Sequence, residues 1–301
     1  MGDNEEKWVK TVHAREAVWI KMLENLTQDG LERIDIWNDT PPKFEEKYGF
    51  RAGLYLLNAR NAHRGTVIIC AGGAFIFKSP NEARPVAEYF KNAGFNAGIL
   101  DYTVDRRGPF PDHGIPVVRQ AAGEDALRAV RYLRAHAEEL GISGNMIAIG
   151  GFSAGGRAVQ YAVSQYDAGN PESTDPVCKV SSRPDAALLM YGAPAYTTTL
   201  AGYQQYNAAT LRTASQTDLI RNLKPDCPPI FIFQTNEDDP RHALSLAWEM
   251  ASRGLQHEVH TFRSGRHGGG LYDGGDANTP HIPHTAQWAE LAVGWLRELG
   301  F

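Results

Sequence analysis

The 301-residue sequence predicts an α/β fold, with a mostly parallel central sheet covered by helices on both faces. Three observations carry that prediction. Short apolar runs alternate with amphipathic segments along most of the chain, the order that builds parallel sheets through crossover helices. Runs such as Thr66-Val67-Ile68-Ile69-Cys70 lack polar alternation, as strands buried on both faces do. Finally, Gly151-Phe152-Ser153-Ala154-Gly155 stands between one such run and a helical pattern. A tight strand-to-helix turn of this kind favours small residues two before and two after the serine, and it holds the hydroxyl out above the sheet.

Residues 5–27 are the first predicted element, an amphipathic helix. Trp8, Val12, Trp19, Met22, Leu23 and Leu26 recur there at helical spacing and form a face to pack on the core. Leu31–Trp37, partly alternating at period two, and Gly53–Leu57 suit early strands, and Thr66–Cys70 is the third. Ser79-Pro80-Asn81-Glu82 opens a helix that ends near Ala93. Its spacing is that of a capping box with proline at the first helical position, and Pro85 offers a later start. The alternation continues with a strand at Asn96–Leu100, a helix over most of Val117–Leu140, a strand at Met146–Ile149 and a helix at Gly155–Val163. Strands follow at Ala186–Tyr191 and Pro229–Phe233, then a helix at Ala243–Ser252. A strand at Glu258–Phe262 and a helix at Thr285–Leu299 close the chain. The irregular stretch 193–217, with Tyr196, Tyr203 and Tyr206, is expected to be a small cap over a site or a surface loop. No internal repeat appears, so residues 1–301 are expected to form one domain.

Composition removes several function classes. Thirty Lys and Arg against 35 Asp and Glu give a net charge of −5 without a basic run, so a nucleic-acid or anionic-membrane partner has no electrostatic support. No apolar segment approaches the roughly 18 residues of a membrane span. Met1–Lys7 lacks the basic-then-apolar order of a signal peptide. Cys70, Cys178 and Cys227 are a sparse, odd set, which fits a reducing, cytoplasmic home. The chain is compatible with a monomer or a homo-oligomer. His281-Ile282-Pro283-His284 suggests a metal pair, but proline breaks the helical spacing and no cysteine or acidic cluster completes a tetrahedral set. No metal or cofactor is expected.

A serine hydroxyl becomes a nucleophile when a neighbouring base takes its proton and an acid orients that base. In sheets with this serine turn the order along the chain is Ser, Asp or Glu, His, with acid and base on later loops. Gln234-Thr235-Asn236-Glu237-Asp238-Asp239-Pro240 follows one predicted strand, and Arg263-Ser264-Gly265-Arg266-His267-Gly268 follows the next. The expected triad is Ser153, Asp239 and His267, with Asp238 as the alternative acid. Asp239 also suits a helix N-cap, because Pro240 would fill the first helical position. Acyl transfer further needs donors for an oxyanion. The backbone N–H of Ala154, next to the nucleophile, and those of Gly73 and Ala74, in the loop after the third strand, are the expected donors.

Taken together, Ala71-Gly72-Gly73-Ala74-Phe75, the serine turn with Gly156, the acidic loop and Gly265-Arg266-His267-Gly268 resemble the α/β-hydrolases. The closest likeness within them is to the acetyl-xylan-esterase and feruloyl-esterase-like carbohydrate esterases, over roughly residues 30–300. That resemblance implies a cofactor-free serine esterase for short acyl esters, above all acetyl, on saccharides such as acetylated xylo-oligosaccharides. Alternatives are a feruloyl or other aryl esterase, a serine peptidase or amidase, and a non-catalytic binding protein on a hydrolase scaffold. Four positions in two segments depart from the family pattern. Its Pro-Gly-Gly-Gly-Tyr loop reads Ala71-Gly72-Gly73-Ala74-Phe75, and the histidine that often follows the serine turn is Arg157.

Overall fold

Eight strands hydrogen-bond into one sheet in a computed structural model that describes residues 3–46, 51–57, 65–105, 115–192, 219 and 222–301. The strands are β1 (Arg33–Asp35), β2 (Gly53–Leu57), β3 (Thr66–Cys70), β4 (Asn96–Asp101), β5 (Ile147–Phe152), β6 (Ala186–Met190), β7 (Ile230–Thr235) and β8 (His257–Phe262). Their order is β1-β2-β4-β3-β5-β6-β7-β8. The β1–β2 and β2–β4 pairs are antiparallel, and every later pair is parallel. From β3 the chain steps to β4 on one side and returns to β5 on the other. The carboxyl ends of β3 and β5 therefore meet where the strand order reverses, which is where open α/β sheets receive ligands.

The described helices are α1 (Asp3–Gln28), α2 (Arg84–Asn92), α3 (Ile115–Ala135), α4 (Ala137–Leu140), α5 (Ser153–Gln165), α6 (Arg241–Ser252), α7 (Pro283–Ala286) and α8 (Trp288–Glu298). Strand side chains divide between the two faces at period two. Ile68, Ile147, Ile149, Leu189 and Ile232 pack with Ala122 and Val130 of α3, Ala158 and Val159 of α5, and Leu246 of α6. Val67, Ile69, Ala148, Leu188 and Phe233 pack with Trp19 and Leu26 of α1, Phe90 of α2, and Trp288 and Leu296 of α8. Both faces of the central strands are dry, and that is why their sequences carry no polar alternation. Among the described residues no helix is long and apolar enough to cross a membrane.

Three elements differ from expectation. β1 covers only Arg33–Asp35, all three residues paired with β2 at the sheet edge. The capping box does not form: Ser79 makes no side-chain cap, Pro80–Glu82 is a short 3₁₀ turn, and α2 starts at Arg84 beside Pro85. Glu82 instead turns into the interior, where it is 1% exposed. The long helix after β4 breaks at His136, whose φ of −107° and ψ of 20° leave the helical region. The expected cap at 193–217 lies outside the described residues.

Candidate active site

Ser153 occupies the junction between β5 and α5 with φ of +49°. Left-handed backbone is costly for a residue with a side chain, about 1–3 kcal/mol, and it persists only where the surroundings enforce it. The neighbouring glycines show what enforces it. A Cβ on Gly151 would strike the backbone of Gly155, and one on Gly155 would strike the carbonyl oxygens of Cys70 and Ala71. The serine turn is thus pressed against the end of β3, and only residues without a Cβ allow that approach.

Loops after β7 and β8 bring the other two side chains. His267 Nε2 lies 2.7 Å from Ser153 Oγ, and its Nδ1 lies 2.6 Å from Asp238 Oδ2. Asp238 accepts at Nδ1–H, which fixes the tautomer that leaves Nε2 free to accept the serine proton. The preference for Asp239 over Asp238 is corrected by this geometry. Asp239, at φ +41°, accepts the Arg241 backbone N–H at 3.2 Å and grips the Arg241 guanidinium with both oxygens at 2.7 Å. It serves the start of α6, and its Oδ2 also lies 3.8 Å from His242 Nε2. Gln234 anchors the acid loop by donating Nε2–H to the Asp238 carbonyl, and Glu237 accepts the Gly265 N–H at 3.0 Å. Burial works against charge on His267, but the hydrogen bond and negative charge of Asp238, together with the charge of Glu82, outweigh it. The imidazole pKa is held above its ordinary value.

A cavity of about 290 Å³ opens beside Ser153, and its wall includes Ala74, Ala154, Arg157, Gln234, His242 and His267. The N–H of Ala154 belongs to the first turn of α5, where no intrahelical acceptor exists. In the loop after β3, Gly72 N–H donates to Glu82 Oε2 at 2.7 Å. Gly73 at φ +136° and Ala74 at φ +55° then form a turn closed by Ile76 and Phe77 N–H donating to the Gly73 carbonyl. Ala74 lines the cavity and Gly73 does not. His242 was not singled out from the sequence, where nothing marks it. Its pKa lies below the ordinary value through burial and then the nearby Arg157 charge.

Two further residues escaped the sequence reading. Tyr191, at the end of β6, donates its hydroxyl to Glu82 Oε1 at 2.6 Å and accepts the Gly270 N–H at 2.9 Å. Its ring centroid is 5.0 Å from that of His267, edge to face. Burial raises the Glu82 pKa, opposed by the donors Tyr191 and Gly72 and by the nearby His267 and Arg15. Among the described residues no group of three or more His, Cys, Asp or Glu is arranged to hold a metal. His281 Nδ1 sits 3.0 Å from the Asp273 carbonyl, and His284 meets the Phe262 ring edge-on.

Comparison with known proteins agrees with this architecture. The model of the BD-FAE family matches residues 53–242. Over 249 residues the chain is 30% identical to an endo-1,4-beta-xylanase B of Butyrivibrio fibrisolvens. That match covers 78% of this chain but only 36% of the relative's length. Among solved structures, an acetyl ester-xyloside bifunctional hydrolase from Caldicellulosiruptor lactoaceticus superposes with a TM-score of 0.74 at 25% identity. It covers 90% of this chain and 97% of its own. A thermophilic esterase from Thermogutta terrifontis gives a TM-score of 0.67 at 24% identity, covering 90% and 95% of the two chains. The α/β-hydrolase fold is therefore shown.

Proposed function

The chain belongs to the BD-FAE family, and from that premise we propose that it is a serine carboxylesterase for short acyl esters, chiefly acetyl, carried on saccharides. The observation that carries the reading is the hydrogen-bonded run Ser153–His267–Asp238. Ser153 Oγ attacks the ester carbonyl carbon as His267 Nε2 takes its proton, and Asp238 stabilises the imidazolium. The N–H groups of Ala154 and Ala74, the two expected donors that line the cavity, hold the negative oxygen of the tetrahedral intermediate. Collapse of the intermediate breaks the bond to the alcohol, which leaves with the proton from His267. Water, deprotonated by the same imidazole, then releases the acid and restores Ser153.

A cavity of about 290 Å³ is at the small end for ligand sites, which supports a short acyl group. The saccharide rests on the likeness to an endo-1,4-beta-xylanase and to an acetyl ester-xyloside bifunctional hydrolase. Three unpaired thiols support a reducing, cytoplasmic setting. Hydrolysis of acetyl, butyryl and feruloyl esters, of acetylated xylo-oligosaccharides and of a matched amide tests the reading, with Ser153→Ala as control. The account expects acetyl esters to turn over fastest, the amide to be inert, and Ser153→Ala to lose at least ~10³-fold in kcat. Full activity in Ser153→Ala would sink the assignment.

A further inference from the structure

Glu82 is a fully buried carboxylate on a 3₁₀ turn, with no part in the steps above. Burying such a group costs several kcal/mol unless donors satisfy it. Its two oxygens take different donors from different loops. Oε2 accepts the Gly72 N–H at 2.7 Å, one residue before the expected oxyanion donors. Oε1 accepts the Tyr191 hydroxyl at 2.6 Å, and that same hydroxyl accepts the N–H of Gly270, three residues after His267. Both contacts are donors, which favours the ionised form against the burial that raises its pKa. A second link runs parallel to the first, since Asn81 Nδ2 donates to the Gly268 carbonyl at 3.1 Å. The Tyr191 ring, meanwhile, packs edge-on against the imidazole of His267.

We propose that Glu82 and Tyr191 are positioning residues for the reaction at Ser153. They tie the donor loop after β3 to the histidine loop after β8, so that oxyanion donors and general base are set as one unit. The inference rests on the esterase reading given above. Gly72 spends its N–H on Glu82, which fixes the loop that carries Ala74 to the cavity wall. Gly270 must be held by Tyr191 for His267 to meet both Ser153 and Asp238. The hydrogen bonds of both run to each other and to Gly72 and Gly270 rather than to Ser153, His267 or Asp238. Their effect is on where the charge of the transition state finds its partners, so it belongs in kcat rather than KM. Glu82 also places a second negative charge near the imidazole, alongside Asp238. The charged and titratable groups around Glu82 and the imidazole are Asp238 after β7, Tyr191 after β6, Tyr102 after β4, Tyr272 within the histidine loop, and Arg15 of α1.

The test is a pH profile of kcat and KM for p-nitrophenyl acetate with wild type, Ser153→Ala, Glu82→Gln and Tyr191→Phe. Wild-type turnover that Ser153→Ala abolishes secures the underlying reading; its persistence there refutes that reading and leaves nothing for the pair to position. With turnover secured, Tyr191→Phe and Glu82→Gln are each expected to lose about 10–100-fold in kcat with little change in KM. Glu82→Gln should in addition move the acid limb of kcat/KM down by about half a unit or more, because a negative charge facing the imidazolium is gone. A purely structural role would lower the unfolding temperature and leave that limb in place. Where Glu82→Gln does not fold, Tyr191→Phe decides, since it removes one hydroxyl and keeps the ring. Wild-type kcat and an unmoved acid limb in the folded variants would overturn the inference.

Discussion

At the scale of single residues, the protonation of His267 decides what Ser153 can do. The base must be neutral to take the serine proton, and its folded-state pKa is raised, against burial, by Asp238 and Glu82. Activity should therefore fall on acidification with a midpoint above the unperturbed histidine value of about 6.5. A pH–rate profile of kcat/KM checks this, and a midpoint at or below that value would contradict it. The sign for stability follows the same shift. The folded state favours the protonated ring, so this contribution is complete below the unfolded pKa and is lost as pH rises through the folded one. Ser153 and His267 were legible because glycines surround each of them after an apolar run. The acid was less so. Two adjacent carboxylates precede Pro240, and either has the position in the chain of a triad acid. The signal was present in Pro240 and Arg241, which together give Asp239 a cap and a cation to hold.

At the scale of elements, the serine turn and the end of β3 form one contact whose tolerance is set by Gly155. An alanine there would drive its methyl group into the carbonyl oxygens of Cys70 and Ala71, the residues that lead into the donor loop. Gly155→Ala is expected to cost about 3 kcal/mol or more and to lower kcat, read by urea unfolding beside an esterase assay. Wild-type stability in this variant would show that the turn has slack. The central strands were readable because both faces are buried, so β3, β5, β6 and β7 each carry an apolar run: Val67–Cys70, Ile147–Ile149, Ala186–Met190 and Ile230–Phe233. Glu82 shows the opposite case. Ser79 and Glu82 have the spacing of a local cap, yet the glutamate goes inward because Gly72 and Tyr191 offer it stronger donors. Local spacing carries no information about partners 10 and 109 positions away.

At the scale of the whole molecule, an aromatic cluster beneath the site joins the strands that deliver it. Trp288 of α8 stacks on Phe233 of β7 at 5.3 Å and meets Phe152 of β5 edge-on at 5.8 Å. Its indole N–H donates to the Gly270 carbonyl at 3.1 Å, so the closing helix also braces the histidine loop. Trp288→Ala should cost about 3–5 kcal/mol, measured by denaturant unfolding. A loss below about 1 kcal/mol would mean that the site stands without this support. Ser153, Asp238 and His267 arrive from the ends of β5, β7 and β8, and the account holds that they work as one nucleophilic unit. The most direct test is the rate at which a fluorophosphonate modifies the protein, with the labelled peptide identified by mass, in wild type, Asp238→Asn and Asp239→Asn. The expected result is one label per chain on Ser153, slowed by about 10⁴ in Asp238→Asn and close to wild type in Asp239→Asn. Labelling away from Ser153, or a slowing confined to Asp239→Asn, would contradict it.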